Sequence, residues 1–248
     1  MMAGGANIGV EYMGPEPYEN RWKDLAFTLE GPAVRHWLNV FAGDWAFAAK
    51  ETLSAKQLRL PDAPASEQLG TGIVQVVPSG PDVPSDALHD ALLSMIYKAK
   101  KRFWAITPYF VPDDALCQAL LLAARRGVDV RIILPRRSNH PLPDIVRGIP
   151  LRQIQDAGGL IMFYAPKMLH SKLVLMDDEV AVLGSANMDI RSLLLNYETA
   201  IFVYSPDEIA AVKQYIEDIM GQCDCGIGQA GLPRALGESI VRLVSPLL

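Results

Sequence analysis

From Ile73 onward the chain alternates short apolar runs with longer stretches in which apolar residues recur every three or four positions. Short runs bounded by turn residues predict buried strands, and the longer period predicts helices with one apolar stripe. Strands are expected at Ile73–Val77, Phe103–Ile106, Val128–Leu134, Leu160–Phe163 and Glu198–Tyr204. Leu169–Met176 and Val180–Leu183 read as a strand pair around the turn Asp177-Asp178-Glu179. A helix is expected over Asp86–Lys100, with Leu88, Leu92, Ile96 and Ala99 aligned, and another from Pro112-Asp113 to Arg126, stopped by Gly127. A weaker one covers Leu142–Ala157, and a last one covers Pro206–Met220 with Ile209, Val212, Ile216 and Ile219 on one stripe. This alternation predicts an α/β fold, a mixed and mostly parallel sheet with helices on both faces.

Residues 51–72 break the pattern. Pro61, Pro64, Ser66 and two glycines stand among polar residues, which reads as a linker. The first 50 residues echo a later segment in the same order. Gly4-Gly5-Ala6-Asn7-Ile8 matches Gly184-Ser185-Ala186-Asn187-Met188. The run from Asp24 to Pro32 matches the run from Glu198 to Pro206, and a helical stripe of Val34, Trp37, Leu38, Phe41 and Trp45 follows. The expected division is therefore the tail of a first lobe at 1–50, the linker at 51–72, a complete second lobe at 73–222 and a C-terminal tail at 223–248.

Composition narrows the function. Hydrophobic residues make up 50% of the chain, enough for a sizeable core. Lys and Arg number 23 against 28 Asp and Glu, a net charge of −5, which argues against a general nucleic-acid binder, and no nucleic-acid partner is expected. Cys117, Cys223 and Cys225 are a poor disulfide framework, and Cys223-Asp224-Cys225 lacks the second pair that a zinc site needs. A reducing, cytoplasm-facing setting fits this usage. No apolar run reaches the roughly 20 residues that span a bilayer, and Met1–Val10 has no signal-peptide pattern, so the chain is expected to be soluble or peripheral.

The chemistry concentrates in one run. His170-Ser171-Lys172-Leu173-Val174-Leu175-Met176-Asp177 has the form H-x-K-x4-D. On a strand, His170 and Lys172 face the same side. An imidazole can serve as nucleophile or proton carrier near neutral pH, and an adjacent ammonium can neutralise a phosphoryl oxygen. Ser185 and Asn187 follow as short hydrogen-bonding residues two apart, suited to completing an anion cradle. Glu198 is a carboxylate of the right type to orient an imidazole N–H. A polar pair on a strand is usually a solvated face, but these polar residues recur among Leu, Val and Ile, where burying them is costly unless they are used.

The pairing of H-x-K-x4-D with Gly184-Ser185-Ala186-Asn187 resembles the phospholipase D superfamily, and within it the bacterial cardiolipin synthases. Thr107-Pro108-Tyr109-Phe110-Val111-Pro112-Asp113 and Ala123 to Arg131 look like that family's second lobe. Gly4–Ile8 and Glu30-Gly31-Pro32-Ala33-Val34 look like the tail of its first lobe, and Leu243–Leu248 is similar to its ending. The resemblance implies a phospholipase D-like lobe preceded by the remnant of a second one. It implies a phosphatidyltransferase that joins two phosphatidylglycerols into cardiolipin and releases glycerol, through a phosphohistidine. His170 would be one of two histidines, one per lobe. Lys172 and Asn187 would hold phosphoryl oxygens with help from Ser185, and Glu198 would orient a histidine. Asp177 belongs to the catalytic signature but is expected to be structural. No metal or other cofactor is implied, because cationic side chains take that part. Phosphatidylglycerol, other anionic phospholipids and a membrane surface are the expected partners, with a peripheral location on the cytoplasmic face of the inner membrane.

This chain departs from that pattern in carrying one signature. His170 lies fourteen residues before Gly184, and the matching step back from Gly4 falls ahead of Met1. Met1-Met2 reads as an internal start or a split gene, and the chain by itself is expected to be inactive or weak. The second histidine would come from a homodimer or from a separate first lobe. Two other readings stand beside this one. The first is a one-signature phosphodiesterase, a lipase or nuclease, working as a homodimer. The second is a non-catalytic module that binds anionic lipid. His36, His89 and His140 read as surface or capping residues, Arg125-Arg126 as a helix cap and Arg136-Arg137 as loop decoration. Trp37 and Trp45 read as core unless truncation exposes their stripe; Trp22 and Trp104 share with them a weaker reading as membrane anchors. Leu236, Ile240, Val241, Leu243, Val244 and Leu247 form an apolar face expected to dock on the body.

Overall fold

The structure is a computed structural model that describes residues 1–16, 18–59, 70–231, 234, 237, 238 and 241. The apolar runs read from the sequence form one eight-stranded sheet. In chain order the elements are β1 (Met2–Gly4), β2 (Ala26–Thr28), α1 (Val34–Ala49), β3 (Val74–Ser79), α2 (Ala87–Lys98), β4 (Arg102–Ile106), β5 (Phe110–Val111) and α3 (Asp114–Arg125). They continue with β6 (Asp129–Pro135), α4 (Pro141–Val146), α5 (Gly148–Asp156), β7 (Leu160–Tyr164), β8 (Leu173–Met176), β9 (Val180–Gly184) and β10 (Met188–Asp189). Last come α6 (Ile190–Leu194), β11 (Glu198–Val203), α7 (Pro206–Met220) and β12 (Cys223–Cys225). The sheet order is β12-β7-β6-β4-β8-β9-β11-β3.

The sheet is mixed, as the sequence predicts, but it is not mostly parallel. Five of its seven strand pairs are antiparallel. Only β4–β6 and β6–β7 are parallel. A parallel pair needs a crossover of a dozen or more residues. Here α3 bridges β4 to β6, and α4 with α5 bridges β6 to β7. Elsewhere the connections are short, as in the β8–β9 hairpin, or the strands come from distant parts of the chain. β12 also carries the sheet past residue 222, so Cys223–Cys225 pair with β7 instead of beginning a tail.

Two apolar layers hold the sheet. On one face α2, α3 and α5 bury Leu88, Leu92, Leu116, Leu120, Leu151 and Ile154. On the other, Ile209, Ile216 and Ile219 of α7 pack on Leu173, Leu175 and Ile201. Each fully buried Ile or Leu contributes about 1.5–3 kcal/mol. The predicted Leu142–Ala157 helix is split at Arg147, because Pro150 has no N–H to give to Val146. Arg126 is the C-cap of α3 and also reaches the end of α2: its guanidinium donates to the carbonyls of Ile96 and Ala99 at 3.0 and 3.2 Å. Arg136 of the second basic pair meets Asp224.

The echo in the first 50 residues has a counterpart in backbone register. Gly4 stands opposite Ala26 and Met2 opposite Thr28. Gly184 stands opposite Ala200 and Val182 opposite Phe202. Both glycines are required by close approach: a Cβ on Gly4 would fall 2.5 Å from the Leu25 carbonyl oxygen, and one on Gly184 2.4 Å from that of Thr199. Leu25, Phe27 and Leu29 pack against the α7 side of the sheet. α1 does not do the same. It has no buried residue, and Phe41 and Trp45 are exposed, so the core reading of the Trp37–Trp45 stripe is corrected. Most of the predicted linker's centre (60–69) lies outside the described residues, as does the C-terminal apolar face apart from Val241. Glu238, buried between Arg152 and Arg234, ties the C-terminal segment to α5.

Asp177 sits at the far end of β8 from His170, in the left-handed region at φ 51°. Its carboxylate accepts the backbone N–H groups of Lys100, Lys101 and Arg102 at 3.1, 2.7 and 2.8 Å. Burial by itself would raise its pKa, but these three donors hold it below the ordinary carboxylate value. Such a group adds stability above its unfolded pKa and loses it as pH falls through the folded value. Asp177→Ala is expected to lower stability in urea melts by about 2–4 kcal/mol. Asp177→Asn, which tolerates positive φ and keeps an acceptor, should cost less than half of that. An alanine variant within about 0.5 kcal/mol of wild type would show that the bonds carry no net stability.

Candidate active site

The segment before β8 positions the reactive group. His170 and Lys172 precede the regular strand, which begins only at Leu173, so the expected strand start at Leu169 is corrected. The segment is extended because it pairs with residues 22–24. Lys23 bridges Leu169 in parallel, its N–H bonds Met168 O at 2.8 Å, and its carbonyl accepts the His170 N–H at 2.7 Å. Side chains therefore alternate as on a strand. Ser171 turns towards α7, with its hydroxyl 2.7 Å from that of Tyr215, while His170 and Lys172 turn to the opposite side and touch.

The same pairing brings Asp24 to His170. The Asp24 carboxylate lies 2.8 Å from Nδ1 of the imidazole, both side chains being buried. Lys172 Nζ is 2.6 Å from the same nitrogen, 3.2 Å from Nε2 and 2.5 Å from the His170 carbonyl oxygen. One nitrogen cannot both donate and accept. A carboxylate can only accept, and Lys172 has the carbonyl for its proton, so we assign the Nδ1 proton to Asp24. Nε2 is then the lone-pair nitrogen. The Tyr12 hydroxyl is 3.4 Å from it. The rings of Tyr12, Trp22 and Tyr109 stand 5.0, 5.3 and 6.3 Å from the imidazole and wall it in.

Burial sets the charges here. It lowers the pKa of His170 against the opposing pull of Asp24, so the imidazole is held neutral more readily than in water. Burial also lowers Lys172 to about 8, although Asp24, Glu198 and Asp189 favour its charge. A neutral imidazole with a free Nε2, beside an ammonium that is easily deprotonated but charged at neutral pH, can attack phosphorus and hold its oxygens.

Lys172, Gly184 and Asn187 line one small cavity, so the structure brings together three positions of the two sequence motifs. Asn187 gives its amide N–H to Ser192 Oγ at 3.1 Å, and its Oδ1 is buried without a partner among the described residues. The turn bearing Asn187 is pinned by Thr107, whose hydroxyl accepts the Met188 N–H at 3.1 Å. Ser185 is committed elsewhere. Its hydroxyl donates to Glu198 and accepts the Thr199 N–H at 3.1 Å.

Glu198 makes no contact with His170; its carboxyl, with a pKa raised chiefly by burial, is bonded by Ser185 and Asn196. Asp24 is the carboxylate beside His170. Asp177, which the signature counts with the catalytic residues, stands at the other end of β8. Of the other histidines, His36 is exposed, and His89 is buried rather than superficial, with Nε2 3.0 Å from the α3 N-cap Asp113. His140 stands 5.4 Å from the Tyr109 ring. Reading the sequence missed Asp24 and Tyr12 and gave Trp22 a membrane role. The available signal for Asp24 was the echo, which aligns it with Glu198.

The family model for the cardiolipin synthase, PLD-like domain matches residues 92–220. The chain is 35% identical over 249 residues to "Cardiolipin synthase 2" of Bacillus anthracis, covering 99% of this chain and 48% of that protein. It is also 35% identical over 249 residues to a cardiolipin synthase of Geobacillus kaustophilus, covering 99% of this chain and 49% of that one. The chain thus spans about half the length of the curated relatives it matches. Among solved structures, the phospholipase D family member Nuc from Salmonella typhimurium superposes with a TM-score of 0.53 at 24% identity, over 63% of this chain and 99% of that one. Phosphatidylserine synthase of Haemophilus influenzae gives 0.55 at 18% identity, over 71% of this chain and 48% of that one, and both likenesses speak to the fold alone. Since the matched region takes in the strand pair and the turn that build the phosphate cradle, the chain belongs to the cardiolipin synthase, PLD-like domain family.

Proposed function

We propose that this chain supplies one half of a phosphatidyltransferase site that joins two phosphatidylglycerols into cardiolipin and releases glycerol. The observation that carries this reading is the buried Asp24–His170–Lys172 group: a carboxylate on Nδ1, a lone pair on Nε2, and an ammonium beside it. His170 Nε2 attacks phosphorus and forms a P–N bond as glycerol leaves. The primary hydroxyl of the second phosphatidylglycerol then attacks the same phosphorus and the P–N bond breaks. Lys172 and Asn187 hold the phosphoryl oxygens. A second histidine, acting as acid to the leaving glycerol and base to the incoming alcohol, comes from another lobe or another copy of the chain. Among the described residues no other histidine makes a ring contact or hydrogen bond with His170.

The equal registers of β1–β2 and β9–β11 support reading residues 1–50 as the end of a lobe like 73–222. On that reading Asp24 serves the histidine of the other lobe. Glu198, its counterpart in the echo, has the matching place for the histidine that pairs with His170. Nearness to a membrane follows from the substrates, and no helix among the described residues is long and apolar enough to cross one.

In vesicles of phosphatidylglycerol with chelator present, cardiolipin and free glycerol are expected to appear in equal amounts. His170→Ala should lose roughly 10³-fold or more of this activity. Turnover by this chain is expected to be weak and to rise faster than protein concentration if a second copy supplies the second histidine. Turnover that survives His170→Ala would sink the reading, and phosphatidic acid as the sole product would make the chain a hydrolase.

Asp24→Asn should lower kcat by roughly 10²–10⁴-fold, since an amide can stabilise the wrong tautomer. Asp24 raises the His170 pKa, so nitrogen-resolved NMR titration should show it falling further in this variant. A pKa and tautomer unchanged from wild type would remove Asp24 from its orienting role.

Lys172 sets a pH window. Its folded pKa of about 8 lies below the ordinary 10.5, so the buried charge weighs against folding below pH 8. That penalty fades as pH climbs from about 8 to 10.5. Phosphate binding needs the charged form, so the affinity for inorganic phosphate is expected to drop about tenfold per pH unit above 8 while stability to urea rises. Affinity that stays flat to pH 10 would exclude Lys172 as the phosphate ligand.

A further inference from the structure

Beside the reactive group lies a second cavity of about 400 Å³, which the reading above does not use. Tyr109 and Asn187 form its wall towards His170, and the start of α4 and the residues around α6 form the rest. Its chemistry is unusually mixed. The Arg191 guanidinium lines it and has no carboxylate within ion-pair distance among the described residues; its Nε donates to Asn196 Oδ1 at 3.3 Å. The exposed imidazole of His140 lines the same space, against the Tyr109 ring. Asn187 and Asn196 line it as neutral amides, Asn187 on the wall shared with the small cavity at Lys172.

The one carboxylate in this cavity does not oppose an anion strongly. Asp189 is buried, and its oxygens are turned to the Ser192 N–H and hydroxyl at 2.7 and 3.3 Å. The rim is apolar: Leu142 lines the cavity and is 47% exposed. Leu195, just after α6, is exposed as well. A cation, two amides and an apolar rim, side by side, match a ligand that has a phosphodiester, a polyol and a greasy end.

We propose that this cavity binds the glycerol phosphodiester headgroup of a second phospholipid. Arg191 pairs with its phosphate, the Asn187 and Asn196 amides meet its glycerol hydroxyls, and the Leu142 rim takes the start of its acyl chains. This seat rests on the phosphatidyltransfer reading, which requires an anionic lipid acceptor next to the phosphohistidine.

The test uses the whole chain and needs no turnover. Glycerophosphoglycerol, the soluble deacylated headgroup, is titrated while the ring signals of His140 and His170 are followed by NMR. A saturable His140 shift is expected, weakened at least tenfold by Arg191→Ala and largely kept by Arg191→Lys. His170→Ala should leave it in place. Vesicles of phosphatidylglycerol should displace the soluble diester, whereas phosphatidylcholine vesicles should not. A diester that shifts His170 but not His140 would overturn this inference and leave the catalytic cradle standing. An Arg191-dependent His140 shift with His170 silent would support the seat and count against the cradle. Binding that is indifferent to Arg191→Ala would overturn the seat. Displacement by inorganic phosphate at equal concentration would reduce it to a plain anion site, and failure of phosphatidylglycerol vesicles to compete would overturn the lipid assignment.

Discussion

The Asp24 carboxylate and the His170 imidazole are 146 residues apart in the chain and 2.8 Å apart in space. Much of the site depends on that contact. A buried imidazole without it would have two undirected nitrogens and a tautomer set by chance. With it, Nδ1 carries the proton and Nε2 keeps the lone pair that the proposed attack on phosphorus needs. The contact is secured by backbone before side chains: the Lys23 N–H and carbonyl bond the chain on either side of Leu169, so residues 22–24 and 168–170 run together. Leu25, Phe27 and Leu29 then bury against the α7 side of the sheet and hold that pairing in place. The first 50 residues are therefore part of the site, although most of the sheet lies elsewhere.

Much of this architecture could be read from the sequence. The Pro206–Met220 helix is legible to both ends, because Pro206 suits its first turn and its apolar stripe has no competing pattern. The motif from His170 to Lys172 was legible because polar residues inside an apolar stretch are costly unless used. Less legible was anything decided by long-range pairing. Strand direction depends on which connections are short, and β3 and β12 join the sheet from its two ends in sequence, which periodicity does not record. The carboxylate at His170 is hidden for a related reason. Glu198 has the chemistry to orient a histidine, but which acid meets His170 depends on a pairing across 146 residues. The echo placed the two acids in equivalent positions, and an approximate twofold relation would have predicted that each serves the other lobe's histidine. α1 shows the converse error: a good apolar stripe does not bury itself unless some surface meets it.

Asp177 and Asp24 show how one residue type does two jobs. Both are buried, and burial alone penalises a carboxylate. At Asp177 three backbone N–H groups satisfy the charge completely, and the residue becomes a rivet between the β8–β9 turn and β4. At Asp24 one oxygen accepts the Leu25 N–H and the other faces His170. The second oxygen is satisfied by a group that must change its own bonding during a reaction. A signature motif that includes an acid thus need not include it for chemistry, and a catalytic acid can lie well outside the signature.

The electrostatic layout also explains why the cradle and the neighbouring cavity differ. In the cradle Lys172 is buried and its charge is weakened by desolvation, so a phosphate bound there gains from restoring full protonation. Such a site is sensitive to what it holds, as suits a phosphoryl group that changes its bonding. In the cavity the cation is the exposed guanidinium of Arg191. A permanent charge at the mouth suits recruitment and orientation of an anionic headgroup rather than bond making. Asn187 stands between the two: it lines both the small cavity at Lys172 and the larger one at Arg191. On the proposed reading one side chain therefore couples phosphate holding to headgroup binding.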